Sequence, residues 1–335
     1  MKRPWLTPFV PLYAAGVALR DMRLKNGWEP IRRLRFPVIS IGNLSTGGSG
    51  KTPFAIALAK LLTKRGFQVD VLSRGYGRQN TEPLRVCADG ADEEFGDEPL
   101  LIAQQAGVPV YVAPQRFDAG LLAEVDLQAQ RRDAGADNCP AAHILDDGFQ
   151  HRQLARDIDI LLLSRADLHD CLLPAGNLRE PLAALRRAHV IAIPADEPEL
   201  CSDLKAWGWQ GPIWRLHRRM DVPKVTSPVA AFCGIARPEQ FFAGLEGAGL
   251  RLSSSIVFRD HHRYTARDVK RLDSAAQFSD VTAILTTEKD KVRMGVLRTC
   301  RPLLAVGLRT EVEDESDALE WLTARLATAP ANAPL

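Results

Sequence analysis

The run GGSGKT at positions 47–52 constrains the fold of this chain more than any other segment. It follows an apolar run at Val38–Ile41, which predicts a buried strand, and precedes an apolar stretch that predicts a helix to about Leu62. A phosphate-binding loop forms in this context of strand, glycine loop and helix. Glycines let backbone N–H groups turn towards an anion, and the helix N-terminus adds partial positive charge. The sequence therefore predicts an α/β fold with a phosphate site at this loop.

Two residues of the loop have roles that follow from their chemistry. Lys51 is expected to reach the outer phosphates of a nucleotide, and the Thr52 hydroxyl is expected to bind Mg²⁺. The general pattern G-x-x-x-x-G-K-[ST] would place glycine where this chain has Ser45, so a glycine-rich turn without a ligand is the alternative. The residues expected to line the phosphates are Ser45, Thr46, Gly47, Gly48, Ser49, Gly50, Lys51 and Thr52.

Short, almost continuous apolar runs recur along the first 200 residues and predict a parallel sheet. Strands of this type are buried on both faces, with helices packed on each side. The predicted strands are Val38–Ile41, Gln68–Leu72, Val110–Val112, Ala142–Leu145, Ile158–Leu163 and Val190–Ile193. We therefore predict a layered α/β/α domain of the P-loop NTPase type over residues 37–200.

The alternation lapses between Asp196 and Pro228, where proline and glycine recur and only Ile213–Leu216 has the pattern of a strand. It then resumes with a helix near Pro238 and a last helix from about Ser316 to Leu326. The further predicted strands are Val229–Cys233, Ile256–Phe258, Ala283–Leu285 and Leu303–Val306. We predict a linker over residues 201–228 and a second, smaller α/β domain over 229–330.

The composition excludes several classes of protein. Of 335 residues, 46% are hydrophobic and 25% charged, and the mean hydropathy is −0.13, as in water-soluble globular proteins rather than disordered, fibrous or polytopic membrane chains. The net charge of +2 does not predict nucleic-acid binding. The six cysteines are widely spaced without a C-x-x-C pair, which argues against a zinc site or disulfide framework and indicates a reducing compartment.

Residues 1–36 differ from the rest because they carry a net charge of +6. Within them Pro4–Leu19 is free of charge, but its 16 residues are fewer than the ~20 of a spanning helix, and Pro8 and Pro11 interrupt it. The basic residues follow the apolar stretch, which excludes a signal peptide. A short helix over Leu12 to Leu24 remains. It either lies in a membrane interface with its basic end on anionic headgroups, or packs on the core or in a dimer contact.

Two carboxylates end another predicted strand, in the run HILDDGFQH at 143–151. In phosphate-loop enzymes an acidic residue at a neighbouring strand end holds Mg²⁺, directly or through water. Asp146 and Asp147 have this position, although Asp-Asp-Gly is also a common turn. The upstream glycine loop favours the metal site.

Two further segments have polar residues that the local pattern explains in two ways. Arg74 and Tyr76 follow the second strand, in a composition suited either to anionic or sugar ligands or to an exposed loop. Arg179 and Glu180 precede Pro181, where they either stabilise charge in phosphoryl transfer or cap a helix.

Position alone does not select Asp97 or His261. Asp97 lies in GDEP at 96–99, after an acidic stretch of the kind that is most often a solvated face. His261 and His262 are adjacent, and on a strand such neighbours would point to opposite faces and could not readily share a metal. The run TTEKD at 286–290 is superficially similar to the guanine-reading N-K-x-D motif. Its lysine directly precedes the aspartate, however, so its spacing does not match the motif of a GTPase.

Eight ordered segments of the chain resemble those of the tetraacyldisaccharide 4′-kinase family, the lipid A 4′-kinases of Gram-negative bacteria. They are GNLSTGGSGKTP at 42–53, LSRGYGR at 72–78, GDEP at 96–99, DDGFQHR at 146–152, LLPAGNLREP at 172–181, FCGIARP at 232–238, DHHRYT at 260–265 and LTTEKDKVR at 285–293. The resemblance spans positions 4 to about 306, and eight segments in order are very specific. The family also lacks the first glycine of the general loop pattern, which accounts for Ser45.

The resemblance implies an ATP- and Mg²⁺-dependent kinase that phosphorylates the 4′-hydroxyl of a tetraacylated glucosamine disaccharide 1-phosphate, giving lipid IV-A. It implies a peripheral protein at the cytoplasmic face of the inner membrane. Its partners would be this glycolipid acceptor and an anionic membrane surface, with no nucleic acid and no obligatory protein partner. The second α/β domain would contribute to the active site. The N-terminal segment would bring the enzyme to an acceptor whose four acyl chains lie in the bilayer.

By motif matching, the resemblance also assigns individual residues. The triphosphate and metal site would comprise Lys51, Thr52, Asp146, Asp147, Arg179 and Glu180. Of these, Lys51 and Arg179 would act directly in catalysis. Asp97 and His261 match a proposed pair in which the carboxylate receives the proton of the acceptor hydroxyl. The acceptor would contact Arg74, Tyr76, Arg116, Gln150 and His151.

An alternative of a different class is a membrane-associated partitioning or targeting ATPase that acts on protein partners. Such ATPases also use G-G-x-G-K-[ST] after a strand, but with a lysine just before the paired glycines, where this chain has Thr46. ATP turnover that depends on an added glycolipid, rather than on a protein partner, would distinguish the two.

Overall fold

One sheet of twelve strands runs through the part of the chain that the computed structural model describes, residues 3–134, 139–226, 228–278 and 280–328. The strands are β1 Val38–Asn43, β2 Gln68–Ser73, β3 Leu84–Arg85, β4 Val110–Val112, β5 Ala141–Leu145, β6 Ile158–Leu162, β7 Val190–Pro194, β8 Ile213–Asp221, β9 Val229–Cys233, β10 Leu252–Val257, β11 Ile284–Thr287 and β12 Leu303–Val312. Their order across the sheet is β10-β9-β11-β12-β8-β7-β6-β1-β5-β2-β4-β3.

Helices connect most of these strands. The α-helices of the described ranges are α1 Val10–Lys25, α2 Lys51–Lys64, α3 Asp92–Phe95, α4 Asp97–Ala106, α5 Arg116–Ala134, α6 Arg165–Leu168, α7 Glu199–Ala206, α8 Pro238–Gly247, α9 Ala266–Phe278, α10 Glu288–Met294 and α11 Glu315–Ala327. Two 3₁₀ segments, Pro4–Phe9 and Leu182–Arg187, precede α1 and β7.

The sheet is mostly parallel. Among the described strands only β3 with β4 and β8 with β12 pair antiparallel. The strand β12 pairs with β11 through Leu303–Val306 and with β8 through Gly307–Val312, so one long strand joins the two halves of the sheet. The predicted fold class, a mixed α/β protein with a large and mostly parallel sheet, is confirmed.

Layering in the first half follows from the alternation of side chains along each strand. Ile39 and Ile41 of β1 face the core that includes α2, α4 and α11, whereas Val38 faces the core under α5. From α2, Phe54 and Leu62 are fully buried in the first of these cores. Burial of a side chain of this size stabilises the fold by about 2 kcal/mol. Helices on both faces explain why these strands are nearly continuous in hydrophobic residues.

The second half is built in the same way on a smaller scale. One core packs α9 against one face of β9 and β11, and a second core packs α8 against the opposite face. The predicted linker contributes β8, which lies in the sheet between β7 and β12. The division of the chain into domains stays a prediction, and residues 329 and 330 of the predicted second domain lie outside the described residues.

The strands predicted for the first half are confirmed to within two residues at each end. The two-residue strand β3 was not predicted, because it is too short to show an apolar pattern. In the second half, the prediction at Ile256–Phe258 covers only the end of β10, because Ser253–Ser255 interrupt the apolar run. The predicted helix over Leu12 to Leu24 lies within α1. In the described ranges, no helix combines the length and apolar character needed to cross a membrane.

Candidate active site at the carboxyl edge of the sheet

The glycine loop links β1 directly to α2. Gly47 and Gly50 have φ angles of +106° and +83°, which an L-residue adopts only with strain, and α2 begins at Lys51. The end of β1 also lies close to the segment that follows β5, because a Cβ atom on Gly42 would lie 2.4 Å from Cβ of Phe149. This close approach brings the glycine loop beside Asp146 and Asp147.

Four polar side chains meet between the loop and the end of β5. The Nζ atom of Lys51 donates to Oδ1 of Asn43 at 3.0 Å and lies 3.5 Å from Oδ1 of Asp147. The guanidinium of Arg179 donates two hydrogen bonds to the Asp147 carboxylate, at 3.1 and 2.9 Å, and also bonds Asn43. Two cations and one carboxylate therefore surround the buried amide at the end of β1.

The two adjacent aspartates have opposite electrostatic environments. Burial alone would raise the pKa of Asp147, but Lys51 and Arg179 hold it well below its usual range. For Asp146, burial together with the charges of Glu98 and Asp147 raises the pKa to about 7, although Lys51 and Lys289 oppose this rise. The Oδ1 atom of Asp146 is buried without a hydrogen-bond partner among the described residues. A buried oxygen of this kind needs a donor or a cation.

A magnesium ion would fit this arrangement. Asp146 directly follows β5, Thr52 lies in the first turn of α2, and both are buried residues that offer oxygen ligands. Within the described ranges, no group of three or more His, Cys, Asp or Glu side chains could by itself hold a metal ion. Mg²⁺ normally takes only one or two protein carboxylates and completes its shell with water and substrate phosphates. The residues present therefore suit a metal that arrives with a nucleotide.

Asp97 and His261 meet although 164 positions separate them in the chain. Asp97 begins α4, and His261 lies in the loop between β10 and α9, with a φ angle of +56°. The Nδ1 atom of His261 is 3.2 Å from Oδ2 of Asp97. His262 instead pairs with Asp268 at 3.2 Å and stacks on Phe258. Of the two adjacent histidines, His261 is therefore the one that faces Asp97.

The Asp97 carboxylate has a second side-chain partner that the motifs alone did not predict. Arg293 from α10 donates Nε to Oδ2 of Asp97 at 2.8 Å, and its Nη2 lies 2.6 Å from the same oxygen. Burial would raise the pKa of Asp97, but the hydrogen bond from His261 and the charge of Arg293 hold it well below its usual range. Bonding to Asp97 in turn raises the pKa of His261.

The residues predicted to contact an acceptor form a positively charged neighbourhood. Arg74 and Tyr76 are exposed, whereas Arg116 is buried. Burial, reinforced by the charge of Arg74, lowers the pKa of Arg116 to about 10. Burial and the charge of Arg116 lower the pKa of His151 to about 3. The ring of Tyr76 lies 5.5 Å from that of His261, so this neighbourhood extends to the Asp97 pair.

Three predicted residues have partners within the protein. The carboxylate of Glu180 is buried and lies 2.6 Å from Nη2 of Arg187. The Gln150 amide donates to the carbonyl oxygen of Asn43 at 2.9 Å. The Thr46 N–H donates to Asn177 at 2.8 Å, which ties the glycine loop to the segment before Arg179. Direct phosphate or acceptor contacts of Glu180, Gln150 and Thr46 stay predictions.

Sequence reasoning missed Asn43, Arg218 and Arg293. Asn43 is a fully buried amide at the end of an apolar strand, a position that in itself indicates a polar role. Arg218 of β8 donates to the carbonyl oxygen of Ser49 at 2.6 Å, and nothing in its local sequence indicates this contact. Arg293 lies in the last of the eight segments quoted above, so its place in that motif was a signal.

The glycine loop links a strand to a helix at the carboxyl edge of a parallel sheet. Beside it lie a lysine, two aspartates and an arginine. This arrangement defines a P-loop protein that is suited to phosphoryl transfer. Comparison with known proteins specifies which kind. The model of the tetraacyldisaccharide-1-P 4′-kinase family matches residues 2–327, and the chain belongs to this family.

Individual relatives agree with this assignment. The tetraacyldisaccharide 4′-kinase of Koribacter versatilis is 41% identical over 327 residues, covering 94% of this chain and 97% of the relative. The enzyme of the same name from Aeromonas hydrophila is 36% identical, covering 86% and 82%. A crystal structure of LpxK from Aquifex aeolicus in complex with ATP is 34% identical, covers 96% of this chain and 98% of that chain, and has a TM-score of 0.73.

Proposed function

We propose that this chain transfers the γ-phosphoryl group of ATP to the 4′-hydroxyl of a tetraacylated glucosamine disaccharide 1-phosphate in lipid A biosynthesis. The observation that carries the proposal is the meeting of two groups of residues at one edge of the sheet. Lys51, Asp147 and Arg179 lie at the glycine loop, and Asp97 pairs with His261 near enough for Lys289 to interact electrostatically with both Asp97 and Asp146. Glu98, next to Asp97, is close enough to raise the pKa of Asp146, so the groups share one electrostatic environment.

The residues divide into phosphate-holding and proton-accepting roles. Lys51 and Arg179 would neutralise charge on the transferred phosphoryl group, while backbone N–H groups of the glycine loop hold the β-phosphate. Thr52 and Asp146 would hold Mg²⁺, which when bound neutralises phosphate charge, and Asp147 would keep Lys51 and Arg179 in position. The Asp97–His261 pair would accept the proton of the acceptor hydroxyl as its oxygen attacks the γ-phosphorus.

Binding of the acceptor would use the positive neighbourhood on the other side of the pair. Arg74 and Arg116 suit the anionic sugar phosphate, and the exposed ring of Tyr76 suits packing against a sugar. The low pKa of His151 keeps its imidazole neutral, so it would serve as a hydrogen-bonding group rather than a cation. Gln150 would hold these acceptor-binding residues in place through its hydrogen bond to the carbonyl oxygen of Asn43.

We further propose that the N-terminal segment brings the enzyme to an anionic membrane surface, as a peripheral protein at the cytoplasmic face of the inner membrane. Tyr13, Arg20 and Leu24 lie at i, i+7 and i+11, on the side of α1 that contacts the protein. Trp5 and Leu12 are each 73% exposed. Large apolar side chains that are this exposed indicate a surface that a membrane or a partner covers. Basic residues at the end of α1 would bind lipid headgroups.

Acceptor-dependent ATP turnover tests the proposed function against the partitioning ATPase, which family membership does not favour. Purified protein is given ATP and Mg²⁺ with or without detergent-dispersed disaccharide 1-phosphate, and ADP release is measured. We expect release to require the glycolipid and to be lost in Lys51→Ala. The proposal would be overturned if ADP release did not depend on the glycolipid and if its rate per protein molecule rose with protein concentration, as in a self-associating switch.

A further inference from the structure

The segment that carries Arg179 is attached to the beginning of the glycine loop by its backbone. Leu178 and Ser45 form an isolated antiparallel bridge, and the N–H of Arg179 donates to the carbonyl oxygen of Leu44 at 2.7 Å. In such an extended pairing, successive side chains point to opposite sides. The Arg179 side chain therefore extends towards the phosphate site, and the Glu180 side chain extends into the protein interior.

Glu180 is a buried carboxylate that is paired with a cation from another segment. It is only 3% exposed, and its Oε2 atom lies 2.6 Å from Nη2 of Arg187, at the end of the 3₁₀ segment that precedes β7. Among the described residues, no hydrogen bond from another group satisfies either carboxylate oxygen. A buried carboxylate is strongly destabilising without an opposite charge beside it. The burial of Glu180 therefore depends on the guanidinium of Arg187.

The same guanidinium also contacts the segment that follows β5. Its Cζ atom lies 4.6 Å from the centre of the Phe149 ring, in a cation–π arrangement. Phe149 is fully buried and comes two residues after Asp147 in the chain. Its backbone is close to β1, since a Cβ atom on Gly42 would lie 2.9 Å from the Phe149 nitrogen. Arg187 therefore contacts the segment that carries Asp147 as well as the segment that carries Arg179.

The functional side chains of these two segments meet on the opposite side from Arg187. There the guanidinium of Arg179 donates to both oxygens of Asp147, at 3.1 and 2.9 Å. Behind them, one cation contacts both Glu180 and Phe149. A displacement of either segment would change the position of Arg179 relative to Asp147. A misplacement of about 1 Å in a group that acts on the transition state can cost roughly 10²-fold in rate.

We propose that Arg187 is a positioning residue for phosphoryl transfer, which holds Glu180 and Phe149 together and so fixes Arg179 beside Asp147. Glu180 then acts through its neighbour Arg179, rather than as a ligand of the triphosphate, which the motif match predicts. This inference rests on the proposed function and refines it, because it assigns a role to a cation that lies behind the phosphate site and contacts neither nucleotide nor acceptor.

Steady-state kinetics at saturating glycolipid and Mg²⁺ test the inference, with each rate expressed per folded molecule. We expect Arg187→Gln to lower kcat by roughly 10-fold to 100-fold, because Arg179 acts on the transferred phosphoryl group in the transition state. The KM for ATP should change by less than about 3-fold, since the glycine loop still binds the nucleotide. Arg187→Lys should lose less activity than Arg187→Gln, because it keeps a positive charge for Glu180.

Two double variants separate this role from a purely structural one. If Arg187 acts through Arg179, then Arg187→Gln should cost less than about 3-fold in kcat when Arg179 is already replaced by alanine. A residue that only stabilises the fold would have no such dependence on Arg179. In addition, Glu180→Gln combined with Arg187→Gln should recover part of the activity that Arg187→Gln loses, because the double variant no longer buries an unpaired carboxylate.

The adjacent arginine provides a matched control. Arg186 is an exposed residue of the same 3₁₀ segment, and Arg186→Gln should leave kcat and the KM for ATP unchanged. If Arg187→Gln does not fold, Arg187→Lys and the combination of Glu180→Gln with Arg187→Gln are measured with and without Arg179→Ala. Their effect on kcat should again become small when Arg179 is absent.

The contrary results are equally specific. A kcat of Arg187→Gln within about 2-fold of that of the unaltered protein would overturn the positioning role of Arg187. An equal loss in the presence and absence of Arg179 would also overturn it. A rise of roughly 10-fold or more in the KM for ATP of Glu180→Gln would instead make Glu180 a ligand of the nucleotide. Failure of the proposed function is distinguishable from all three, because the unaltered protein would then form no phosphorylated glycolipid.

Discussion

The hydroxyl group of Tyr13 donates a hydrogen bond across 3.0 Å to the backbone carbonyl oxygen of Arg179. This bond joins the N-terminal helix to the residue whose guanidinium holds Asp147. Two more contacts strengthen the connection, because Arg20 bonds the backbone of Gln150 and Arg152 lies 2.5 Å from Asp21. One side of α1 therefore packs on the phosphate site, while other apolar residues of the segment face solvent.

Point substitutions on the exposed side of the N-terminal segment test membrane binding without disturbing this packing. A deletion of residues 1–24 would remove the exposed side chains and break the packing at the same time. We expect Trp5→Ser and Leu12→Ser each to weaken binding to anionic vesicles by about 10-fold, because insertion of such a side chain is worth roughly 1.5–3 kcal/mol. Sedimentation with vesicles measures the effect. Trp207→Ser and Phe278→Ser remove exposed apolar side chains elsewhere and should change nothing. Equal losses from both pairs would contradict a membrane-binding segment.

Lys51 and Asp146 supply charge to a reaction that depends on charge neutralisation. Replacing either by alanine should lower kcat by roughly 10²-fold or more while the thermal unfolding transition remains. Higher Mg²⁺ concentration should partly restore activity to Asp146→Ala but not to Lys51→Ala, since a metal ion cannot replace the ammonium group. The exposed Lys60 on the same helix is a matched control, and Lys60→Ala should be silent. Near-normal turnover of Lys51→Ala would place the phosphate site elsewhere.

Asp97 and His261 should behave as one unit. Each single alanine substitution is expected to lower kcat by roughly 10²-fold with little change in the KM for ATP, because Asp97 pairs with His261 and Arg293, outside the glycine loop. The double variant should be scarcely worse than the more damaged single variant. Steady-state kinetics on the four proteins measure this. Losses that multiply would mean that the two residues act independently, and a damaging His262→Ala would select the other histidine.

A buried charge cluster around His143 of β5 gives stability its own pH dependence. The Nδ1 atom of His143 lies 2.8 Å from Asp70, and its Nε2 lies 3.4 Å from Glu124, which also accepts the N–H groups of Arg35 and Phe36. Burial would lower the pKa of His143, but the two carboxylates raise it from 6.5 to about 9.

The sign of the pH effect follows from this elevated pKa. The stabilisation is fully present below pH 6.5 and is lost as pH rises through about 9, so the free energy of unfolding should fall by up to about 3 kcal/mol over that range. Urea denaturation at several pH values measures it. In His143→Gln the same interval should lack this fall. An unfolding free energy that is flat across it in the unaltered protein would refute the charged state of His143.

Local sequence pattern accounts for the first half of the fold because strands buried on both faces must be almost wholly apolar. It accounts less well for β12, whose second part, Gly307–Val312, becomes a strand by pairing with β8 rather than by its own composition. It also could not indicate that Glu180 lies against Arg187, or that Arg293 holds Asp97. Arg293 and Asp97 are 196 positions apart in the chain, and Glu180 meets Arg187 through the 3₁₀ segment Leu182–Arg187, so only the folded structure brings these side chains together.

The central claim is that one phosphoryl group passes from ATP to the 4′-hydroxyl of the disaccharide acceptor. Incubation of purified protein with ATP, Mg²⁺ and detergent-dispersed tetraacyldisaccharide 1-phosphate, followed by mass spectrometry of the lipid and fragmentation to locate the phosphate, tests it directly. We expect the mass of one added phosphoryl group, on the distal sugar, and no product with Lys51→Ala. An unchanged lipid, or a phosphate added to the reducing-end sugar, would contradict the account.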